Sequence, residues 1–415
     1  AAPLRPNYES ELSRDETNKQ ALFTKKLVET FETQNPGYTV QLIDSGWGDS
    51  LMQNLTWAVQ GNSLPDILIG EVYVPTYIDM GIVQEIELGE LEDKIVESAI
   101  APAVQDGKYY GVPFATGCAA LFINTEVLKN AGILEQDGTV AAEYEEYSPL
   151  APQTWEDLEY LAKAVDESEY YSQPSRLSTY GGILLSGANG ISSAFRAMPL
   201  MRTAGGDFLV DGENVFYSNA NVKAFEQLRR LYQYAPQNSY TLQDDRRLSN
   251  FSNGRAAYAI EGADALSLMG EGVVTAPLPT YEGSDLHSNI LMGNAIFSIT
   301  TACTKKDIAM NFLELILSED IQRELYDVDN RVPVNKDVLE SEELAETDNY
   351  ALMKPYLDAF KSEESFGGLP CYVSNTTTLW TQWNAFMQKV LTTSENIDGL
   401  VKDYSDAIDT LNKIS

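Results

Sequence analysis

A single histidine and three scattered cysteines leave almost nothing from which a chain of 415 residues can assemble a histidine metal site, a zinc knuckle, a disulfide framework or a Ser-His-Asp triad. One pair among Cys118, Cys303 and Cys371 can bridge in an oxidising compartment, but the sequence does not say which. His287 falls in a turn-rich loop and reads as a surface polar residue. Basic residues are also scarce. Against 28 lysines and arginines stand 62 aspartates and glutamates, a formal charge of −34, which argues against nucleic acid or an anionic membrane as a direct ligand. No D-x-D-x-D-G loop gathers that acid around a cation, so the excess reads as a solubilising surface. Missing too is any apolar run near the ~18 residues a membrane helix requires. A soluble chain is expected, without metal or cofactor, any signal segment or lipid-anchoring cysteine having been removed ahead of Ala1.

What is present is the composition of a globular protein, 44% hydrophobic and 10% aromatic. The length exceeds what one core serves, so two domains, or two lobes sharing a hinge, are expected. Residues 8–12 suggest a short first strand. From about Thr17, Phe23, Leu27, Val28 and Phe31 fall on one helical face, and Asn35-Pro36-Gly37 stops that helix. Residues 39–43 alternate as a strand. Leu51, Leu55, Ala58 and Val59 mark a second helix, ended by Gly61, and residues 65–70 read as a buried parallel strand. The order βαβαβ makes an α/β lobe. Loops at the carboxyl ends of such strands are where open α/β sheets bind ligands. Here they carry Trp47, flanked by glycines, and then Glu71 and Tyr73.

Residues 107–132 form the mechanical centre. A turn at Asp106-Gly107, a strand broken by Pro113, the small residues 115–120 and a second apolar strand at Leu121-Phe122-Ile123 suit a passage between two layers better than the interior of one. Farther on, Thr154 and Asp157 form a capping box ahead of Leu158, Leu161, Ala162 and Val165, which makes Trp155 a packing residue. Residues 222–232 carry another apolar stripe. Near the end, Trp380, Asn384, Met387 and Leu391 share one side of a helix with Trp383 packing one turn on, and Ser394 caps a closing helix.

Several of these segments stand in a recognisable order. They are Phe31 with Asn35-Pro36-Gly37, Gly61 with Pro65-Asp66-Ile67, Tyr110-Gly111-Val112-Pro113 before Leu121-Phe122-Ile123-Asn124, and the P-x-T-W-E-D-L of residues 152–158. Phe251 and Gly254 ahead of Ala256-Ala257, Ala276-Pro277-Leu278-Pro279, and Phe312-Leu313 with Ser318 and Gln322 continue the series. Together they resemble the extracellular solute-binding proteins, in particular the carbohydrate-binding group that feeds ATP-driven importers, over nearly the whole chain. The resemblance implies an α/β, two-lobed, periplasmic-binding-protein-like fold of type II. Each lobe would be a mainly parallel sheet flanked by helices, the two joined by a multi-strand hinge near 115–118, 296–298 and 331–333. Residues 1–115 plus 296–328 would form one lobe, and 116–295 plus 329–415 the other.

The implied function is that of a non-enzymatic receptor, extracellular and either lipid-anchored at the cell surface or periplasmic. It would close on a carbohydrate, an oligosaccharide by expectation, and deliver it as a monomer to the permease subunits of an ABC importer, with no nucleic acid involved. The implied ligand contacts are Trp47, Glu71, Tyr73, Asp264, Asn294, Arg331, Tyr372 and Trp380. Aromatic rings suit the apolar faces of a sugar, and carboxylate, amide and guanidinium groups suit its hydroxyls. Ala263-Asp264 stands where maltose-type binders carry Pro-Trp, and Asn294 where relatives carry an aromatic, which disfavours a maltodextrin and favours a more polar cleft. The alternative, a secreted glycoside hydrolase, needs two carboxylates about 5–10 Å apart. Glu71 and Asp264 are the pair at hand, and a catalytic pair split across a hinge is poorly held.

Overall fold

The apolar stripe from Phe23 to Phe31 is one face of a helix, Lys19–Gln34, in the computed structural model, which describes residues 4–46, 49–70, 73–176, 179–185, 190–210, 213–237, 239–362, 365–367 and 376–412. Asn18 caps this helix by accepting from the Ala21 N–H. Pro36, just past the Asn35 C-cap, has no N–H with which to extend the ladder. Among the described residues the strands longer than two residues are Ile67–Gly70 (β1), Val112–Ala115 (β2), Ala119–Asn124 (β3), Gly181–Leu184 (β4), Ala256–Gly262 (β5), Val273–Ala276 (β6), Ser288–Ile290 (β7), Ala295–Ile299 (β8) and Ser365–Gly367 (β9). They fall into two compact units, Ala1–Gly117 with Gly293–Tyr350, and Cys118–Met292 with Ala351–Ser415.

The first unit is built on a sheet in the order β1-β8-β2. Phe297 of β8 meets Phe114 of β2 edge-on at 5.4 Å, and Phe23 lies nearly parallel to Phe114 at 6.2 Å. Phe31 meets Phe312, on the helix Lys306–Ile316, edge-on at 5.3 Å. The predicted stripe thus becomes one wall of an aromatic core. A wholly buried amide ties its edges: Gln322 donates to the carbonyls of Phe114 (2.8 Å) and Ile316 (2.7 Å), and accepts from the Val334 N–H (2.8 Å).

The second unit has a sheet in the order β6-β3-β5-β4, with β3 and β5 buried along their whole length. The capping box forms as expected: Thr154 accepts from the Asp157 N–H, Asp157 accepts from the Thr154 N–H, and the helix Trp155–Glu167 follows. Trp155 is fully buried, its indole N–H donating to the Thr203 hydroxyl at 2.9 Å. In the same unit Phe208, Phe216, Phe225, Trp383, Phe386 and Tyr404 pack ring to ring.

Four expectations are corrected. The sheets are not mainly parallel. In the first, β8 pairs antiparallel with both neighbours, because its central strand arrives from a distant part of the chain rather than through a βαβ crossover. In the second only β4 and β5 run parallel, while β5 with β3 and β3 with β6 are antiparallel. Residues 39–43 form no strand: Val40 is held by the Glu32 carboxylate at 2.9 Å, and Ile43 is 62% exposed. The stretch Tyr8–Leu12 is a short helix, with Glu9 and Glu11 in its first turn, where acids suit the helix dipole. Finally, residues 329–350 belong with the first unit and not the second. Val332 exchanges backbone bonds with Thr116, the carbonyl of Val334 accepts from Val96, and Gln322 holds the Val334 N–H.

Gln322→Ala removes partners from three backbone groups in a dry interior. It is expected to lower stability by about 2–3 kcal/mol, read from the urea midpoint at unchanged slope. A loss below about 0.5 kcal/mol would mean that water reaches those groups.

Candidate functional site

A charge inside a buried strand demands a partner, and β5 has one at its penultimate position. Glu261 is 1% exposed. Arg196 reaches its Oε2 at 2.7 Å, and Arg247, itself 1% exposed, pairs with Oε1. Arg196 is fixed in turn by its own helix, Gly190–Thr203, where Nη1 donates to the carbonyl and hydroxyl of Ser192, both at 2.6 Å. The Glu261 carbonyl accepts from the Tyr356 hydroxyl at 3.2 Å.

Immediately after this anchored carboxylate the strand ends, and Asp264 sits half-buried in the following 3-10 turn, Ala263–Leu268. Its carboxylate lies back over Gly262. A Cβ at 262 would stand 2.8 Å from Oδ1, so a larger residue there would displace Asp264.

Trp380, in the second turn of the helix Thr376–Thr392, is also half-buried. It meets Phe208 edge-on at 6.3 Å, and its indole N–H is buried without an acceptor among the described residues. One turn on, Asn384 accepts from the Gly190 N–H at 2.6 Å, which sets the start of the Gly190–Thr203 helix beside the Trp380 Cβ. That helix therefore links Trp380 to the Arg196–Glu261 pair and the Asp264 turn. Trp383 is fully buried, its N–H on the Ser193 hydroxyl at 2.8 Å, and is a core residue.

The remaining described candidates lie in the first unit and are corrected from ligand contacts to interior supports. Tyr73 is 8% exposed and packs with Leu51, Leu55, Leu68 and Tyr77. Its position at the start of a short helix turns the ring inward. Asn294, 2% exposed, donates to the Ala99 carbonyl at 2.9 Å. Arg331, 4% exposed, pairs with Asp329 at 3.0 Å and donates to the Gly293 carbonyl at 3.2 Å, which brings it next to Asn294. Trp47, Glu71, Cys371 and Tyr372 lie outside the described residues. Among the described residues no group of three or more His, Cys, Asp and Glu could hold a metal ion. A pocket in the second unit, lined by Ala119, Thr203, His287, Asn289 and Pro355 among others, has room for about one water and includes none of the predicted ligand residues. Sequence reasoning missed Arg196, Arg247 and Glu261, although a glutamate within A-A-Y-A-I-E-G was a legible signal.

Residues 26–352 match the family model described as bacterial extracellular solute-binding protein. The chain belongs to this family. Curated relatives of this solute-binding protein include a Brucella abortus protein named as a binding protein, 29% identical over 119 residues, and the diacetylchitobiose binding protein DasA of Streptomyces coelicolor, 23% identical over 307 residues. The first match spans 28% of this chain and 29% of the Brucella protein; the second spans 71% and 65%. Among solved structures, the GacH receptor of Streptomyces glaucescens superposes with a TM-score of 0.74 at 20% identity, covering 96% of each chain. No helix among the described residues is long and apolar enough to cross a membrane.

Two outcomes follow for this site. Glu261→Gln leaves one buried and one half-buried guanidinium group without their carboxylate and is expected to lower stability by about 3–5 kcal/mol in chemical unfolding. A cost under about 1 kcal/mol would show that solvent, not Glu261, neutralises them. Burial raises the phenol pKa of Tyr356, and likewise those of Tyr77, Tyr258 and Tyr404. The folded state therefore holds these protons more tightly than the unfolded one. Stability is full below the ordinary phenol value of about 10 and declines as the pH climbs from there toward the folded values. The melting temperature should be flat up to about pH 10 and fall above it, less steeply in Tyr356→Phe.

Proposed function

We propose that this solute-binding protein is a non-enzymatic receptor for a carbohydrate, an oligosaccharide in particular, and that it delivers its ligand to the permease subunits of an ABC importer. It acts as a monomer, held at the cell surface by a lipid or free in the periplasm. Family membership over residues 26–352 supplies the receptor. The observation that carries the choice of ligand is Trp380, a half-buried residue whose indole N–H has no acceptor among the described residues, linked through one helix to the Asp264 turn. A sugar suits such a pair: apolar C–H faces for the ring, oxygen acceptors for the N–H and hydroxyls for a carboxylate to meet. The ligands named for relatives, diacetylchitobiose for DasA and acarbose for GacH, support the same class. Trp47, Glu71 and Tyr372 complete the proposed contacts. Closure about the hinge would be driven by ligand that binds the closed form better than the open one, since only differential affinity shifts a population.

A micromolar Kd corresponds to about −8 kcal/mol, within reach of a few stacks and hydrogen bonds. At a hundredfold excess over Kd, ligand adds about 2.7 kcal/mol to stability. A thermal-shift panel of chito-, malto- and galacto-oligosaccharides should therefore reveal at least one strong stabiliser. Trp380→Ala should abolish that shift and Trp380→Phe keep part of it, while no new reducing ends form on incubation. The reading fails if no saccharide shifts the melting temperature, or if Trp380→Ala responds like the parent.

A further inference from the structure

The chain passes between the two units three times, at Gly117 to Cys118, Met292 to Gly293 and Tyr350 to Ala351. Inside the second unit Asn289, 4% exposed, grips the first connector as a neighbouring strand would. Its Nδ2 donates to the Ala119 carbonyl at 2.9 Å and its Oδ1 accepts from the Ala119 N–H at 3.2 Å. The same oxygen accepts from the Ile290 N–H at 2.8 Å. Asn289 lies in β7, three residues before the second passage, so one amide binds the first and second connectors to each other. Inside the first unit the same connectors are gripped separately. Thr116 exchanges backbone bonds with Val332, and the adjacent Arg331, paired with Asp329, donates to the Gly293 carbonyl. Gly293 has φ +72, and a Cβ there would collide with the Arg331 guanidinium, so this grip requires glycine. At the third passage Asn349 donates to Asn330 at 2.9 Å and the Leu352 carbonyl accepts from Thr275 at 2.7 Å.

We propose that Asn289 is a positioning residue for the movement of the two units. It makes the first two connectors enter the second unit as one piece, and so confines rotation to the short stretches 117–118 and 291–292 between the grips. Arg331 does the same in the first unit. A buried amide that donates to the C=O and accepts from the N–H of one residue fixes the peptides on both sides of it, and losing it frees both groups in a dry site. The proposal rests on the hinge-closure reading but not on the identity of the ligand, and its test needs none.

The full chain in a Cys371→Ser background would carry nitroxide labels at Lys25→Cys and Lys163→Cys, one in each unit, at side chains 48% and 49% exposed in the native protein. Asn289→Ala should widen the distribution of label distances without ligand and speed exchange of the Ala119 amide by about tenfold. Asn221→Ala is the control. It removes a buried amide of the same unit, bonded to the carbonyls of Asp207 and Phe216, and should leave the distribution as in the parent. Should Asn289→Ala not fold, Asn289→Ser is read in the same way. The proposal is overturned if the distribution stays unchanged, if Asn221→Ala widens it equally, or if the Ala119 amide does not quicken. Failure of the sugar panel with a widened distribution here would sink the ligand reading alone.

Discussion

A carboxylate at the end of a wholly buried strand has to be neutralised before the strand can be buried at all. Glu261 meets that constraint with two arginines from two different helices, so the position of β5, of the helix Gly190–Thr203 and of the helix Asp244–Ser252 are settled by one group. Buried ion pairs seldom stabilise a fold better than apolar residues of the same volume would. Their effect here is geometric. Arg196 cannot leave Glu261 without stranding a charge, and the helix that carries it also sets the backbone beside Trp380. The Asp264 turn begins two residues after the anchored carboxylate. Two side chains proposed to meet ligand are thereby tied to one charge pair, an arrangement that keeps a binding surface in register although it adds little to stability.

Side-chain amides do comparable work where the chain leaves its ladders. Gln322, Asn289, Asn294 and Asn221 are all buried, and each bonds to backbone groups away from its own segment. Backbone N–H and C=O groups in a dry interior must find partners. A strand supplies them along its length, but a connector between two units has no neighbour that can follow it out of the sheet. An amide offers a donor and an acceptor on a short stem and substitutes for one residue of strand. It fixes a peptide without extending the sheet, which is the condition for a connector that is firm on both sides of a short pivot.

Much of the secondary structure was legible because periodicity and capping are local. The 23–31 stripe, the Thr154–Asp157 box and the buried Trp155 all depend on residues within one or two turns. Strand direction was not legible, since an apolar run reads the same whether its neighbour arrives parallel or antiparallel, and β8 reaches its place from about 200 residues away in sequence. Residues 39–43 alternate correctly but gain no ladder, showing that the pattern is necessary and insufficient. Asn294 and Arg331 became candidates through the family resemblance, Asn294 at a position where relatives carry an aromatic. The structure gives them backbone groups to hold, a competing use that sequence cannot rank. Asp264 and Trp380 became candidates through family spacing, whereas the arginines behind them had no local signature beyond the anomalous glutamate they neutralise.

The three described tryptophans near the helices of the second unit separate core from candidate surface by a single criterion. Trp155 and Trp383 are fully buried and each places its N–H on a hydroxyl, Thr203 and Ser193. A folded core arranges such partners because a buried donor left unmet costs about 1–3 kcal/mol. Trp380 differs on both counts: it is only half-buried, and its N–H is enclosed without an acceptor among the described residues. Stability alone gives no reason to keep an indole there, since phenylalanine would offer the same edge to Phe208 and bury no donor. An oxygen supplied from outside the fold removes the cost on binding and not before. On the proposed reading, that would make the N–H a source of differential affinity between the empty and occupied states, the quantity a closing receptor would require.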